Sequence, residues 1–298
     1  MPVSGAKSGI IPCNCCGGFI FKPALECEGF NFVRCTQCGL VQRNPQPLKE
    51  EIIERYSKTF GKDYLNYELE NEAAFLKLQQ LALQDAGFNK TEKIAFLRAK
   101  NAGDTPSVID IGCATGALLA SLRGRGWRVT GVEISPGAEY AQKERGLDVR
   151  NIPLEEVNFP DESFDVILAS HLVEHLNDPR SFFLETRRIL KKDGAVFITT
   201  PNISGFQARL FGGRWRSAIF DHLYLFSKRT LLNMLKTCGF KAQGVYTWGG
   251  LAAGIAPARV KKTADFLAKR LGFGDVMIVR AGKIIDINNK FVKINTNG

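Results

Sequence analysis

The stretch from Ser107 to Arg123 restricts the possible folds more than any other part of the chain. Ser107-Val108-Ile109-Asp110-Ile111 is a short apolar run, the composition of a strand buried on both faces of a parallel sheet. Gly112-Cys113-Ala114-Thr115-Gly116 follows, and then helix-favouring Ala117 to Arg123. Strand, glycine turn and helix in that order present bare backbone to a ligand at a helix N-terminus, with Gly112 and Gly116 allowing close approach. Trp127 to Glu133 reads as a second strand that ends on a carboxylate, a group able to accept both hydroxyls of a ribose. The turn is not the dinucleotide G-x-G-x-x-G, because positions 114 and 117 are alanine; this counts against a nicotinamide-dependent dehydrogenase.

Such a unit needs a large domain around it. With 298 residues, 45% of them hydrophobic, the chain can form one α/β domain and a small appendage. Its formal charge of +10 favours acidic partners, but the basic residues are scattered, with pairs such as Lys191-Lys192 and no long block. No stretch reaches the roughly 18–20 apolar residues of a membrane-spanning helix. The first residues, Met1 to Pro12, lack the apolar core of a secretory leader. A cytoplasmic protein is therefore expected.

The cysteines mark the appendage. Six of the eight lie between positions 13 and 38. Cys13 and Cys16 form one C-x-x-C pair and Cys35 and Cys38 another, eighteen residues apart, the spacing of a zinc ribbon in which two tight turns supply four thiolates to a tetrahedral ion. Gly17 and Gly39 directly follow the pairs and permit the sharp turns. Cys15 is an alternative ligand in the first pair, and Cys27 is a spare. Phe19, Ile20, Phe21, Phe30 and Phe32 suggest short strands around the metal, too few to hold a core alone. With four protein ligands, the zinc has no open position and its role is structural.

Between the two regions the pattern is helical. Leu48 to Tyr56 and Tyr64 to Leu83 fit helices, the second with a stripe of Leu65, Leu69, Phe75, Leu76, Leu78 and Leu81. Tyr64 and Tyr67 are candidates to cover a ligand pocket. Thr91 to Lys100 is the next helix, broken at Asn101-Ala102-Gly103-Asp104.

From Val108 to Phe240 the chain resembles the class I S-adenosylmethionine methyltransferases, through several motifs in order. VIDIGCATG is similar to the family's first motif and VTGVEIS to its second. IPLEEVNFPDESFDVILAS and HLVEHLNDPRSFFLETRRILKKDGAVFITTPN are similar to the adenine-edge segment and the strands that follow. The resemblance is to the small-molecule O-methyltransferases of ubiquinone biosynthesis. It implies a Rossmann-like, seven-stranded, mostly parallel sheet with helices on both faces, and S-adenosylmethionine as cofactor. It implies cofactor contacts at Asp110 (towards the methionine end), Gly112, Cys113, Ala114, Gly116, Glu133 (on the ribose), Ile134, Leu154 and Ser170. Ala114 stands where many members have glycine, and Ile152-Pro153 replaces an acid beside the adenine, which leaves backbone contact at Leu154. The expected division is a zinc-ribbon-like module over 1–48, a helical connector or cap over 49–103 and the methyltransferase domain over 104–298.

The cofactor carries an already activated methyl group, so the enzyme must align the acceptor and shield the site; a hydroxyl acceptor also needs a base. The chain has three histidines. His171 and His175 follow the fourth strand, and His222 follows the fifth. His171 and His222 are the first candidates for base or substrate positioning, while His175 either shares that role or holds the local turn. His171 to His175 also matches the peptidase pattern H-x-x-E-H, but a strand precedes it and methyltransferase-like order surrounds it. In the resembled quinone methyltransferases an acidic segment here holds a divalent metal; this chain keeps Glu174 and His175 and has His171 in place of an acid. No Asn-Pro-Pro-Tyr or Asp-Pro-Pro-Tyr run and no Pro-Cys nucleophile is present, and Cys113 and Cys238 fit packing positions.

Ser204 to Ser217 is aromatic and basic and reads either as a mobile lid, with Arg214 or Arg216 available to an anionic group, or as a solvated loop. Ser227 is placed to cap a helix over Lys228 to Thr237, which Gly239 ends. Val245-Tyr246-Thr247-Trp248 and Val276-Met277-Ile278-Val279 form a closing hairpin around a basic helix from Val260 to Leu271, and the tail after Gly282 is expected to be loose. The expected activity is methyl transfer to a hydroxyl of a sugar, lipid or aromatic metabolite. The alternative is a zinc-ribbon nucleic-acid-binding protein or RNA methyltransferase.

Overall fold

The computed structural model describes residues 10–59, 61–249 and 258–284. It opens with three antiparallel strands, β1 (Phe21–Cys27), β2 (Phe30–Cys35) and β3 (Val41–Arg43). Helix α1 (Lys49–Glu54) runs into a π-helical turn, Arg55–Thr59, followed by α2 (Gly61–Asp85) and α3 (Phe88–Ala102). An alternating succession comes next: β4 (Ser107–Ile111), α4 (Ala117–Gly124), β5 (Arg128–Val132), α5 (Gly137–Arg145), β6 (Val149–Arg150), α6 (Leu154–Val157), β7 (Phe164–Ser170), α7 (Pro179–Ile189) and β8 (Leu190–Pro201). The chain then forms α8 (Phe206–Phe211), β9 (Tyr224–Leu225), α9 (Lys228–Thr237), β10 (Phe240–Trp248), α10 (Ala258–Leu271) and β11 (Val276–Lys283).

Seven strands make the main sheet, in the order β10-β11-β8-β7-β4-β5-β6. The pairings within β6-β5-β4-β7-β8 are parallel, and β11 lies antiparallel to both β8 and β10. This is the expected Rossmann-like architecture. Its strands β4 and β7, and β8 from Ala195 on, are mostly buried along their length because helices cover both faces. Phe182 and Phe183 of α7 and Leu231 and Leu235 of α9 pack in the core on one face. Leu118 and Leu122 of α4, Phe88 of α3 and Leu83 of α2 pack in the other. The chain runs from β4 outward to β6 and then returns to β7 on the other side of β4. The carboxyl ends of β4 and β7 therefore flank a topological switch point, where open α/β sheets bind ligands.

The small sheet is not separate from this body. Its order is β1-β2-β3-β9, so its last strand comes from the region after β8. Cys13, Cys15, Cys35 and Leu40 share one buried core with Tyr224, Phe226 and Leu231.

Local signals explain most element ends. Ser227 Oγ accepts from Thr230 N at 3.1 Å, and α9 spans the expected residues, with Gly239 following at φ +82°. The stripe expected on α2 needs correction: Leu78 and Leu81 are exposed, 54% and 49%. The helix continues to Asp85, and Ala82, Leu83 and Ala86 make its buried contact instead. Ser204 to Ser217, expected as a lid or a solvated loop, contains α8 and a 3₁₀ turn over Gly212–Arg214. It is anchored by fully buried Asp275, whose carboxylate accepts from Trp215 Nε1 and Arg216 Nε, each at 2.6 Å. The tail beyond Ile284 lies outside the described residues. Among the described residues no helix is long and apolar enough to cross a membrane.

Candidate functional site

A cavity of about 1190 Å³ opens at the switch point. It exceeds the roughly 300–1,000 Å³ of a site for one drug-sized ligand, so a cofactor and an acceptor can lie side by side. Of the nine positions expected to meet the cofactor, Gly112, Cys113, Ala114, Glu133, Ile134, Leu154 and Ser170 line this cavity; Asp110 and Gly116 do not. Gly112 and Gly116 have φ +77° and +75°, and Ala114 holds φ +48°, a left-handed backbone that L-residues adopt at a cost of about 1–2 kcal/mol. Gly116 serves packing rather than ligand approach: a Cβ there would come 2.6 Å from Leu147 Cδ1 and 3.1 Å from Ala141 Cβ.

Glu133, one of the residues lining the cavity, is held on both carboxylate oxygens. Its Oε2 accepts from Ala114 N at 2.9 Å and its Oε1 from Ser135 N at 2.8 Å. Both oxygens are thus fixed by backbone, and each retains a lone pair for a hydroxyl. Asp110 lies behind the wall, 2% exposed, with Oδ1 lacking a hydrogen-bond partner. Burial, reinforced by the Glu133 charge, raises its carboxyl well above the usual range.

Helix α2 closes the cavity from outside the sheet. Glu72 accepts from Thr115 Oγ1 and from Arg145 Nη2, both at 2.6 Å, and so fastens α2 across the glycine turn. One helical turn earlier, Glu68 faces the cavity with Tyr64, and burial, with Glu133 and Glu72 adding to it, raises the Glu68 carboxyl. The residue reading missed both acids, although their i, i+4 spacing places them on one helix face. Tyr64 lines the cavity as expected, whereas Tyr67 is absent from its wall and 54% exposed. Tyr56, on the π-helical turn, lines it too and stacks edge-on against Tyr64.

The three histidines gather around one buried carboxylate. His171 lines the cavity, half exposed, at φ +51°, with its Nδ1 3.2 Å from Glu174 Oε1. The other Glu174 oxygen accepts from Thr200 Oγ1 at 2.9 Å. Burial alone would raise Glu174, but the His171 hydrogen bond and the imidazoles of His171, His175 and His222 outweigh it and bring the carboxyl down to about 2. His175 also lines the cavity, with Nδ1 2.8 Å from Tyr56 Oη and 3.0 Å from the Asp221 carbonyl. His222 does not reach the wall. It is 7% exposed behind His175, ring centroids 4.6 Å apart, with Nδ1 2.7 Å from the Ser217 carbonyl. Burial and the neighbouring His175 push it down to about 4. Glu174, His175 and His222 each bring a ligand atom within 4.8 Å of the others, a donor set that suits a divalent cation.

A second cluster lies in the small sheet. One sulfur each from Cys13, Cys16, Cys35 and Cys38 falls within 4.8 Å of the others, with Cys13–Cys38 at 3.4 Å and Cys16–Cys35 at 3.5 Å. A tetrahedron with metal–sulfur bonds of about 2.3 Å has edges of about 3.8 Å, so the four thiols fit such an ion. The two turns match: Gly17 N donates to Cys13 O and Gly39 N to Cys35 O, with φ +74° and +84°. Burial raises Cys35, but the backbone N–H groups of Cys38 and Gln37 and the adjacent thiols bring it down to about 7. Cys15 stands outside the group and accepts from Asn233 Nδ2 at 3.3 Å.

Comparison with known proteins bears on the family and the fold. A family model described as a methyltransferase domain matches residues 78–244. The ubiquinone biosynthesis O-methyltransferase of Glaesserella parasuis is 30% identical over 122 residues, 37% of this chain and 52% of the relative. That of Pseudomonas paraeruginosa is 35% identical over 113 residues, 35% of this chain and 47% of the relative. The chain thus spans about half the length of these curated relatives. A crystal structure of an S-adenosylmethionine-dependent methyltransferase from Thermotoga maritima superposes with a TM-score of 0.50 at 22% identity, covering 78% of this chain and 99% of the other, a likeness of fold.

Proposed function

The chain belongs to the methyltransferase-domain family, the class I S-adenosylmethionine-dependent methyltransferases, and we propose that it transfers a methyl group to a hydroxyl oxygen of a small-molecule acceptor. The observation that carries this reading is that His171, held by Glu174, lines the same cavity as Gly112 to Thr115 and Glu133. S-adenosylmethionine, when bound, supplies a methyl group activated on a sulfonium. Glu133 is placed to hold the ribose hydroxyls, Gly112 to Ala114 and Ile134 to lie along the cofactor, Leu154 to cover the adenine, and Ser170 to meet it from β7. Glu174, ionised and held by Thr200, orients the His171 ring with Nδ1–H towards itself, which leaves the Nε2 lone pair for the acceptor's proton. Tyr56, Tyr64 and α2 exclude water from the reacting oxygen. His175 supports this geometry at the cavity wall and His222 from behind it.

The same reading gives Cys13, Cys16, Cys35 and Cys38 a structural zinc ion, held by four thiolates with no open position. Free thiols in such an arrangement suit a reducing, cytoplasmic compartment.

The test is calorimetric titration with S-adenosylhomocysteine, followed by screening of phenolic, sugar and lipid hydroxyl acceptors for methyl transfer from labelled cofactor. Wild type is expected to bind, and His171→Ala to bind equally while losing transfer. A folded chain that does not bind S-adenosylhomocysteine overturns the proposal.

A further inference from the structure

Residues 217–226 connect the cysteine module to the histidine cluster. Only Tyr224 and Leu225 of this stretch are in a strand, so its position depends on what lies on either side. On one side is β3: Val41 pairs with Leu225 and Gln42 with Tyr224, and Arg43 N donates to Leu223 O at 2.8 Å. On the other side, Leu223 N and Tyr224 N both donate to the carbonyl of Glu174, at 2.7 and 3.1 Å. The peptide that carries His222 is therefore clasped between the module and the residue that orients His171.

Arg43 strengthens this clasp. Its guanidinium lies 3.9 Å from the centroid of the Phe220 ring, and its Nη1 donates to Phe220 O at 2.7 Å. The next residue, Asp221, accepts from Arg55 at 2.5 Å and offers its carbonyl to His175. The first cysteine turn makes a separate attachment. Asn14 donates to Asp178 Oδ1 at 2.8 Å and accepts from Arg180 N at 3.0 Å, at the N-terminus of α7. Tyr224 Oη then donates to Asn177 O at 2.8 Å. Glu174 and Asn177 are thereby tied to the 223–224 peptide that pairs with β3, and Asp178 to the module directly. The module has strands of seven, six and three residues; chains below about 40 residues usually need a metal, disulfide or partner to hold their shape.

We propose that the cysteine module is a brace for the methyl-acceptor site: metal at the four thiols fixes β3, and β3, with Arg43 as a positioning residue, sets His222, His175 and Glu174. This rests on the zinc and methyltransferase readings above. The brace acts on the acceptor side, whereas Glu133 and the glycine turn share no hydrogen-bond partner with it among the described residues. Metal loss is thus expected to disturb the histidines and leave cofactor binding intact.

The test uses the full chain loaded with Zn²⁺ and labelled with ¹³C at histidine Cε1, whose three signals can be assigned by single substitutions. Spectra are taken before and after zinc removal with a chelator, with release followed by a colorimetric dye, and on zinc-loaded Arg43→Gln and Arg43→Lys. The expected result is displacement or broadening of the His175 and His222 signals in the stripped protein and in Arg43→Gln, with partial recovery in Arg43→Lys. S-adenosylhomocysteine affinity is expected to stay within about twofold, as for sites without shared partners. Unmoved His175 and His222 signals in zinc-loaded Arg43→Gln overturn the brace, as does a chain that takes up no zinc. General loss of S-adenosylhomocysteine binding on stripping also overturns it, because the metal then supports the whole fold. Absence of that binding in the native chain sinks the methyltransferase reading instead, while the histidine signals still report on the brace.

Discussion

Replacing Glu133 tests the cofactor wall directly. Each of its oxygens already accepts one backbone N–H, from Ala114 at 2.9 Å and Ser135 at 2.8 Å, so the carboxylate is oriented before any ligand arrives. A hydrogen bond to a charged acceptor contributes about 1.5–3 kcal/mol, and two ribose hydroxyls would make two. Water can refill the space left by Glu133→Ala, so the lower end is the sounder expectation. A loss of about 3 kcal/mol corresponds to roughly 100-fold weaker binding of S-adenosylhomocysteine. Glu133→Gln should not rescue it. Its amide nitrogen must face either Ala114 N–H or Ser135 N–H, donor against donor, and only one hydroxyl keeps an acceptor; at least about tenfold weakening follows. The assay is isothermal titration, with circular dichroism and zinc content confirming that the variants are folded. A Glu133→Ala dissociation constant within about threefold of wild type, less than ~1 kcal/mol, would refute the assignment of Glu133 to the ribose.

Three further outcomes are expected. Elemental analysis should find a zinc ion bound through the four clustered cysteines, and Cys35→Ser with Cys38→Ser should abolish that uptake; full retention in the double variant refutes the site. Gly131→Ala would set a Cβ 2.7 Å from Cys113 Sγ, 2.9 Å from Val149 Cγ2 and 3.0 Å from Leu119 Cδ1, so urea unfolding should show a loss of about 1–3 kcal/mol. For Glu68 the sign follows from its raised carboxyl. The folded state favours the protonated form, so its contribution is fully present below the unfolded pKa of about 4.3 and is lost as pH rises through the higher folded value. Glu68→Gln should therefore be more stable than wild type at pH 7, with the gain shrinking on acidification; a pH-independent difference would contradict this.

How legible the site was in the sequence depends on the kind of interaction that fixes each residue. The β4 strand, the glycine turn and Glu133 were readable because they lie within 30 residues of one another and follow local rules of burial, turn and helix start. The same holds for α9, where Ser227 and Gly239 mark the ends, and for the two cysteine turns. Asp110 was harder to place. A strand position shows that an acid is near a ligand crevice but not on which side of the wall its side chain ends, and Asp110 lies behind it. His222 has the same difficulty: four residues of irregular backbone separate it from Ser217, whose carbonyl meets its ring.

Least legible was the pairing of β3 with β9, three residues against two, about 180 positions apart. Strands this short carry no periodicity, and the contact that joins them is made of backbone hydrogen bonds, to which side-chain identity contributes little. This also explains why the sequence suggested an appended module where the structure has a shared core. Spacing rules identify the four thiols from residues 13–38 alone, because metal ligation is local. What such an ion would hold in place depends on Arg43 and Asn14, whose side chains have partners in distant segments. For Arg43 the partner is the Phe220 peptide, and for Asn14 it is the start of α7. A ligand set read from sequence can therefore name an ion long before it reveals which part of the protein that ion holds in place.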